Sequence, residues 1–166
     1  MERKMRRFKQ LLSADMSREI LSSGTNGVLS LTDADGEPYG VPLSYVYDGD
    51  NCIYFHSAVA GHKIDCIKEG NQRCSFCVIA QDRIVPEEFT TYFRSVIVKG
   101  SIHIVTDGNE LQVGLRLLCD KYSPGIDCSR EIAGALHRVV VLRLDVDSLT
   151  GKEAIELVNK RNARGL

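Results

Sequence analysis

The chain has no tryptophan, only four prolines, and aromatic residues at 7 %. It has no stretch approaching the roughly 18 consecutive apolar residues a membrane-spanning helix needs, so no membrane span is expected. The start, MERKMRRFKQLLSADMS, carries a charged cluster with no long apolar run behind it. That does not read as a secretory signal, and a cytoplasmic protein with reduced thiols is the expectation. Charge of one sign is missing too: 21 basic against 22 acidic residues leave a net charge of −1. No net field favours nucleic acid or an anionic membrane. No Walker loop, G-x-G-x-x-G, H-x-x-H or Ser/His/Asp signature appears, and no repeat or low-complexity segment. At 166 residues, 43 % of them apolar, the chain is long enough to bury one core without staples.

Six cysteines remain to be read: Cys52, Cys66, Cys74, Cys77, Cys119 and Cys128. Only Cys74 and Cys77 form a C-x-x-C, and they lie in RCSFCVIA, which reads as a strand. Residues three apart on a strand face opposite sides, so they are expected to be buried small hydrophobes. With no second cysteine pair, no metal site is expected.

Residues 3–22 read as helical, with Ser17 placed as the cap of a second short helix. GVLSLT (27–32), YGVPLSYVY (39–47) and CIYFH (52–56) read as strands joined by the turns DADGEP and DGDN, forming a meander. A short helix over IDCIKEG ends at Gly70. RCSFCVIA (73–80) is a fourth strand, QDRIVPEEFT (81–90) a polar loop, and SVIVKGSIHIV (95–105) a long strand with Val96, Val98, Ile102 and Ile104 on one face. Asp107 caps a helix placing Leu111, Leu115, Leu118 and Tyr122 on one side. A short helix is expected at 129–136, and VVVLRLDV (139–146) is the last strand. Six mostly antiparallel strands with a few helices fit a small barrel, a mainly β (α+β) fold. The chain is read as one domain over residues 1–166, with an N-terminal helical arm (1–24), a barrel (25–147) and a C-terminal tail (148–166).

Two segments carry candidate chemistry. In YFHSAVAGHKIDCI (54–67), a strand runs through a small-residue bend into a helix. His56 and Ser57 stand at the strand end, and Lys63 begins the helix. A helix start offers unpaired N–H groups and positive dipole potential; with a hydroxyl, imidazoles and a lysine it reads as a phosphate clamp or as a solvated turn. In PYGVPLSYVYDG (38–49), Val41, Leu43 and Tyr45 share one strand face, and Gly40, Pro42, Ser44 and Val46 the other. Pro42 cannot donate to a ladder, so the strand is at an edge or locally unpaired there. A flat ligand fits against such a gap; an ordinary edge strand is the plainer reading.

At these segments the sequence resembles the flavin-binding split β-barrel of the pyridoxamine phosphate oxidase-like superfamily, and within it the nitroimidazole-resistance (Nim) proteins. The resemblance rests on MRR (5–7), GVLSL (27–31), PYGVPLSYVYDG (38–49), IYFHSAVAGHKI (53–64), CSFCV (74–78), SVIVKG (95–100) and HRVVVLRLDVDSLTGK (137–152). It implies a six-stranded antiparallel split barrel with peripheral helices, working as a homodimer with FMN, or FAD, at the interface. Val41, Pro42, Leu43 and Ser44 would line the isoalloxazine. His56 and Ser57 match the pair at the ribityl–phosphate end, His62 and Lys63 the basic pair at the phosphate. Ser95 matches a position reaching the flavin from the partner subunit. Tyr45 and His56 are the candidates to position a substrate or relay a proton.

The implied function is a flavin-dependent oxidoreductase reducing a small electrophile such as a nitroaromatic or quinone. The alternative is a flavin-binding protein that stores, transfers or senses the cofactor without turnover. The oxidase proper has a basic residue where this strand ends in Tyr45, and further aromatic and basic groups near its C-terminus, so pyridoxamine phosphate is not the expected substrate. The basic run Arg3, Lys4, Arg6, Arg7 and Lys9 reads as a solvated helix face, with no aromatic platform to accompany nucleic acid; the resemblance adds a place near the flavin or the partner chain. His103 is expected to be solvated or at an interface, His137 to make a turn contact, and Glu87 and Glu88 receive no role.

Overall fold

The computed structural model describes residues 4–163; Arg3 of the basic run and the last three positions of the expected tail lie outside them. Phe8–Gln10 form a 3-10 turn, and α1 spans Ala14–Ser23. Ser13 caps α1 in place of Ser17, its side chain accepting the Met16 N–H at 3.2 Å, which satisfies one of the helix's orphan donors. Ser17 lies a turn further in, where its hydroxyl donates to Ser13 O at 2.8 Å. The basic run is thus an irregular segment with one tight turn rather than a helix face.

Seven strands, not six, build one antiparallel sheet: β1 Asn26–Thr32, β2 Pro38–Ser44, β3 Val46–Tyr47, β4 Cys52–Ala58, β5 Asn71–Val85, β6 Thr90–Ile104 and β7 Val139–Glu153. Their order is β2-β1-β5-β6-β7-β4-β3. The expected strand 39–47 is two strands, and the expected meander does not form. β2 pairs with β1 at one edge, while β3 pairs with β4 at the other and β4 pairs with β7. Only Tyr45 separates β2 from β3, so the two edges of the sheet meet there and the sheet curls into a barrel, split away from that corner. Pro42 sits on the edge strand, opposite Val28, where its missing N–H costs no ladder bond.

Three strand boundaries lie outside the expected ones. The segment 81–90 is not a loop: β5 and β6 stay paired out to Val85↔Thr90, closing through Pro86–Glu88 and Phe89 at φ 49°. This arm has mostly exposed residues, so no apolar alternation marks it. β7 continues past residue 146 to Glu153, and α5 (Ile155–Ala163) occupies the expected tail. Glu153 is fully buried, held by Arg94 Nε at 3.1 Å and Arg161 at 2.6 Å. A paired, buried carboxylate is invisible to a hydrophobic pattern.

Two apolar cores result. The first fills the barrel with Leu29, Tyr45, Phe55, Phe76, Val96, Val98, Ile102 and Leu144, and is closed by α1 and by Ile64 and Ile67 of α2 (His62–Glu69). The second lies outside the barrel wall, where Val46, Cys52, Tyr54 and Val141 pack under Leu115 and Leu118 of α3 (Gly108–Tyr122), with Ile132 of α4 (Ser129–Ala135) against them. Asp107 caps α3 as expected, its side chain accepting the Glu110 N–H at 2.8 Å.

Candidate functional site

Tyr45 does not face a ligand side. Its side chain is fully buried, its ring meets Phe76 edge-on at 4.8 Å, and its hydroxyl donates to Leu21 O at 2.6 Å. Burial, with Tyr122 beside it, raises its pKa far above the usual phenol value, so it holds its proton. The expectation of a substrate-positioning or proton-relaying Tyr45 is corrected to a core anchor. Sequence reading missed what holds its backbone. The Tyr45 N–H donates to Tyr122 Oη at 2.9 Å, and that hydroxyl lies within bonding distance of the carbonyls of Tyr45 and Thr25. Lys121 donates to Gly24 O at 2.5 Å and stands 4.3 Å over the Tyr45 ring. The last turn of α3 therefore pins the corner where β2 becomes β3.

β2 alternates as its sequence suggests. Tyr39, Val41 and Leu43 are half-buried against the barrel core, while Gly40, Pro42 and Ser44 are exposed. Val41 and Leu43 set the strand's seat; Pro42 and Ser44 line its outer side. At the start of β2, the Tyr39 ring meets His62 edge-on at 4.5 Å. This contact joins the two segments singled out in the sequence.

His62 and Lys63 open α2. Gly61 precedes them at φ 124°, a conformation glycine adopts without strain, and no side chain caps the helix. Ile64 and Asp65 donate to Gly61 O, which leaves the His62 and Lys63 N–H groups ahead of them without an intrahelical acceptor. Lys63 is half-buried, and burial lowers its pKa. Among the described residues it has no acidic partner. A desolvated, unpaired cation beside open N–H groups is complementary to an anion.

His56 and Ser57 point to opposite sides, as neighbours on a strand must. Ser57 faces inward and is buried. His56 faces outward into a cavity of about 430 Å³ between β4 and the α3–α4 pair. Ser44, from the end of β2, lines the same cavity, with Leu115, Leu118, Ile132 and Arg138 among its walls.

The outer side of β1, β5 and β6 is not covered by α3. Cross-strand register places Pro42, Val28, Cys77, Ile97 and Thr150 in one row. Val28 and Ile97 are more than 40 % exposed. Ser95 lies one step along, between Ile79 and Lys152, on this open face. Cys74 turns toward the barrel core and Cys77 outward. Burial pushes the Cys52 and Cys74 thiols up to about 12, which keeps them protonated and unreactive. His103 approaches Asp145 at 3.5 Å, and Glu88 accepts the Tyr92 hydroxyl proton at 2.6 Å; neither reaches the cavity. Among the described residues no helix is long and apolar enough to cross a membrane, and no cluster of three His, Cys, Asp or Glu side chains is arranged to hold a metal.

The family description that matches the chain is pyridoxamine 5'-phosphate oxidase, over residues 13–153. No curated protein matches. Among solved structures, a protein described as a candidate 5-nitroimidazole antibiotic resistance protein from Bacteroides thetaiotaomicron is similar at TM-score 0.73 and 22 % identity, over 86 % of each chain. A FAD-binding protein from Mesorhizobium loti is similar at TM-score 0.63 and 28 % identity, over 87 % of this chain and 97 % of that one. A FAD-binding protein from Mycobacterium smegmatis is similar at TM-score 0.61 and 20 % identity, over 86 % and 96 %. These likenesses support the split-barrel fold.

The anchor reading of Tyr45 is testable. Tyr45→Phe removes the hydroxyl that satisfies Leu21 O and is expected to cost about 1–2 kcal/mol in a urea titration, with ligand binding unchanged. Lost binding at unchanged stability would return Tyr45 to the ligand side.

Proposed function

The chain belongs to the pyridoxamine 5'-phosphate oxidase family, and we propose that it holds a flavin along β2, phosphoryl end at the start of α2 and ring over the exposed row Gly40, Pro42 and Ser44. The observation that carries this reading is Lys63, a half-buried cation with no acidic partner among the described residues, at an uncapped helix start. His62, seated on Tyr39, sets that helix start against β2. Gly40 and Pro42 put little side chain in the way of a flat ring, and an added Cβ at Gly40 would touch only Val28, at 3.5 Å. Val41 and Leu43 act from below by packing. Of the pair His56 and Ser57, His56 is the one whose side chain opens to the cavity. The relatives described as FAD-binding support a flavin, with FMN and FAD both compatible with Lys63 at the first phosphate.

The reaction proposed is flavin-dependent reduction of a small electrophile, a nitroaromatic or quinone. A bound flavin supplies the transfer of an electron pair or hydride. The chain's own share is placement: the cavity walls Leu115, Leu118 and Ile132 exclude water, and the His56 imidazole is the group in reach to orient a polar substituent or hand over a proton. Two copies are proposed to pair through the open face around Val28 and Ile97, bringing Ser95 to the partner's flavin. Exposed Val28 and Ile97 in one register row, with exposed Ile79 in the next, form the kind of contiguous patch that marks an interface.

Protein reconstituted with FMN or FAD is expected to be yellow, and its flavin to be reduced by a nicotinamide donor and reoxidised by a nitroimidazole or quinone faster than free flavin. Equal rates would leave a protein that stores, transfers or senses flavin. A colourless preparation in excess flavin would end both readings.

Lys63→Ala is expected to weaken flavin binding by roughly 10- to 100-fold, the loss of one charged hydrogen bond of about 1.5–3 kcal/mol. The pH dependence has a definite sign. Burial lowers the Lys63 pKa in the free protein, and a bound phosphoryl group raises it again. Wild-type binding therefore weakens as pH rises through the free-state pKa, with proton uptake on binding, whereas Lys63→Arg keeps its charge and does not weaken there. Identical pH profiles for wild type and Lys63→Ala would remove Lys63 from the clamp.

Ile97→Glu puts a charge in the open face, and sedimentation should show monomers with reduced flavin retention. A wild-type monomer, or a dimeric variant with full retention, would overturn the interface.

A further inference from the structure

Two thiols beside the cavity have no part in the reading above. Cys119 lies in the last turns of α3 and lines the cavity together with His56 and Ser44. Cys128 is the residue just before α4. Between them the chain reverses: the Ser123 N–H donates to Cys119 O at 2.7 Å, the Ile126 N–H donates to Ser123 O at 3.1 Å, and Gly125 takes φ 77°, which glycine adopts without strain. α4 therefore returns beside α3. Ile132 packs in the core that holds Leu115. One turn further along α3 is Cys119, and one turn back along α4 is Cys128, so the spacing that joins Ile132 to Leu115 also brings the two sulfurs together. The thiols do meet. Burial first, and then a hydrogen bond with Cys128, push the Cys119 pKa up to about 11.

The other cysteines are placed differently. Cys52, Cys66 and Cys74 have Asp145, His62 and the Gly100 carbonyl as neighbours rather than a second sulfur. Cys128, by contrast, is open to small reagents: its Sγ donates to Ile126 O at 3.4 Å in an exposed position. The helix it leads into needs a tie. α4 has seven residues, Gly134 among them, and none is buried; so short a helix stands only through what it packs on. Yet it supplies Glu131, Ile132 and Ala135 to the cavity wall.

We propose that Cys119 and Cys128 are a reversible dithiol–disulfide site, oxidised by a low-molecular-weight disulfide, and that the bond fixes α4 as a wall of the cavity. The Cys128 thiolate attacks one sulfur of the small disulfide and expels its first thiolate. Cys119 then releases its proton to water and attacks the Cys128 sulfur, expelling the second. Two protein thiols and one small disulfide become one protein disulfide and two small thiols. Cys119 suits the second step, because its target sulfur already lies against it and the attack is intramolecular. With the bond formed, α4 is held and the cavity takes only what fits its present volume of about 430 Å³; with the bond reduced, α4 yields to larger molecules. The bond does not depend on the flavin reading, whereas its effect on turnover rests on it.

Wild type, Cys128→Ser and Cys119→Ser, equilibrated in glutathione buffers of rising oxidised fraction, alkylated and read by mass, test the site. Wild type is expected to lose two of its six alkylatable thiols together, with peptides bearing Cys119 and Cys128 linked. Cys128→Ser should form no protein disulfide, and Cys119→Ser should stop at a mixed disulfide on Cys128. Amide exchange over 129–136 should slow at least about tenfold on oxidation of wild type, as expected when local opening is constrained, and not change in Cys128→Ser. In protein carrying flavin, oxidation should slow a bulky quinone more than a small one. No Cys119–Cys128 bond at any buffer ratio overturns the site. A bond with unchanged exchange, or with both quinones slowed equally, overturns the fixed wall. A colourless protein that forms the bond and protects α4 upholds the site and ends only the flavin reading.

Discussion

The corner at Tyr45 is the constraint on which the rest of this molecule depends. One residue carries the chain from one edge of the sheet to the other, so its position decides whether the barrel closes. It is over-determined from several directions. Its ring fills the barrel beside Phe55 and Phe76, its hydroxyl ties α1 through Leu21 O, and its backbone is held by Tyr122, 77 residues away. Gly24 shows how tight the fit is, because a Cβ there would come within 2.6 Å of the Tyr45 hydroxyl. Packed interiors do not yield to such insertions without strain of a few kcal/mol.

The same clamp sets both parts of the candidate site. β2 ends at the corner, so the exposed row Gly40, Pro42 and Ser44 is fixed where Tyr122 fixes it. α3 begins under its Asp107 cap and ends at Lys121 and Tyr122, so the helix forming the cavity wall opposite His56 is the helix that grips the corner. The strand edge proposed to take a flat ring and the cavity proposed to take its reaction partner therefore share one fixed point. Edge strands invite unwanted pairing; here Pro42 withholds a donor and the barrel's curl brings the other edge alongside. What remains is an edge able to accept a ligand but poorly suited to accept another strand.

Much of this was legible in the residues, and the gaps have physical causes. Pro42 marks an edge strand because proline cannot serve a central ladder, and the alternation of Tyr39, Val41 and Leu43 against Gly40, Pro42 and Ser44 gives both faces of β2. Tyr45 lies on the inward side of that same alternation, yet Val46 beside it is also buried, in the second core. Two adjacent buried residues signal that the chain changes layer, and a period of two reads straight through that signal. The arm at 81–90 was hidden because backbone pairing sustains it with its side chains mostly exposed, and the end of β7 because a buried, ion-paired carboxylate, Glu153, anchors it. The opposed directions of His56 and Ser57 follow from strand geometry alone. The role of Tyr122, by contrast, needs its partner 77 residues away, and no local pattern contains that.

The anion binding proposed at Lys63 cannot come from net charge, which is −1, so it rests on where the cations stand. Lys63 and the N-terminal basic run differ in one physical respect. Lys63 is half-buried, and its attraction for a phosphoryl group acts through a poorly screening surround. Arg6, Arg7 and Lys9 are exposed, and at physiological ionic strength charges there are screened over about 8 Å. A lysine that has already lost part of its hydration has less to lose when an anion arrives, which favours tight local binding. Exposed arginines keep their hydration until contact and contribute less per charge, but they can form planar, two-point contacts that a lone ammonium cannot.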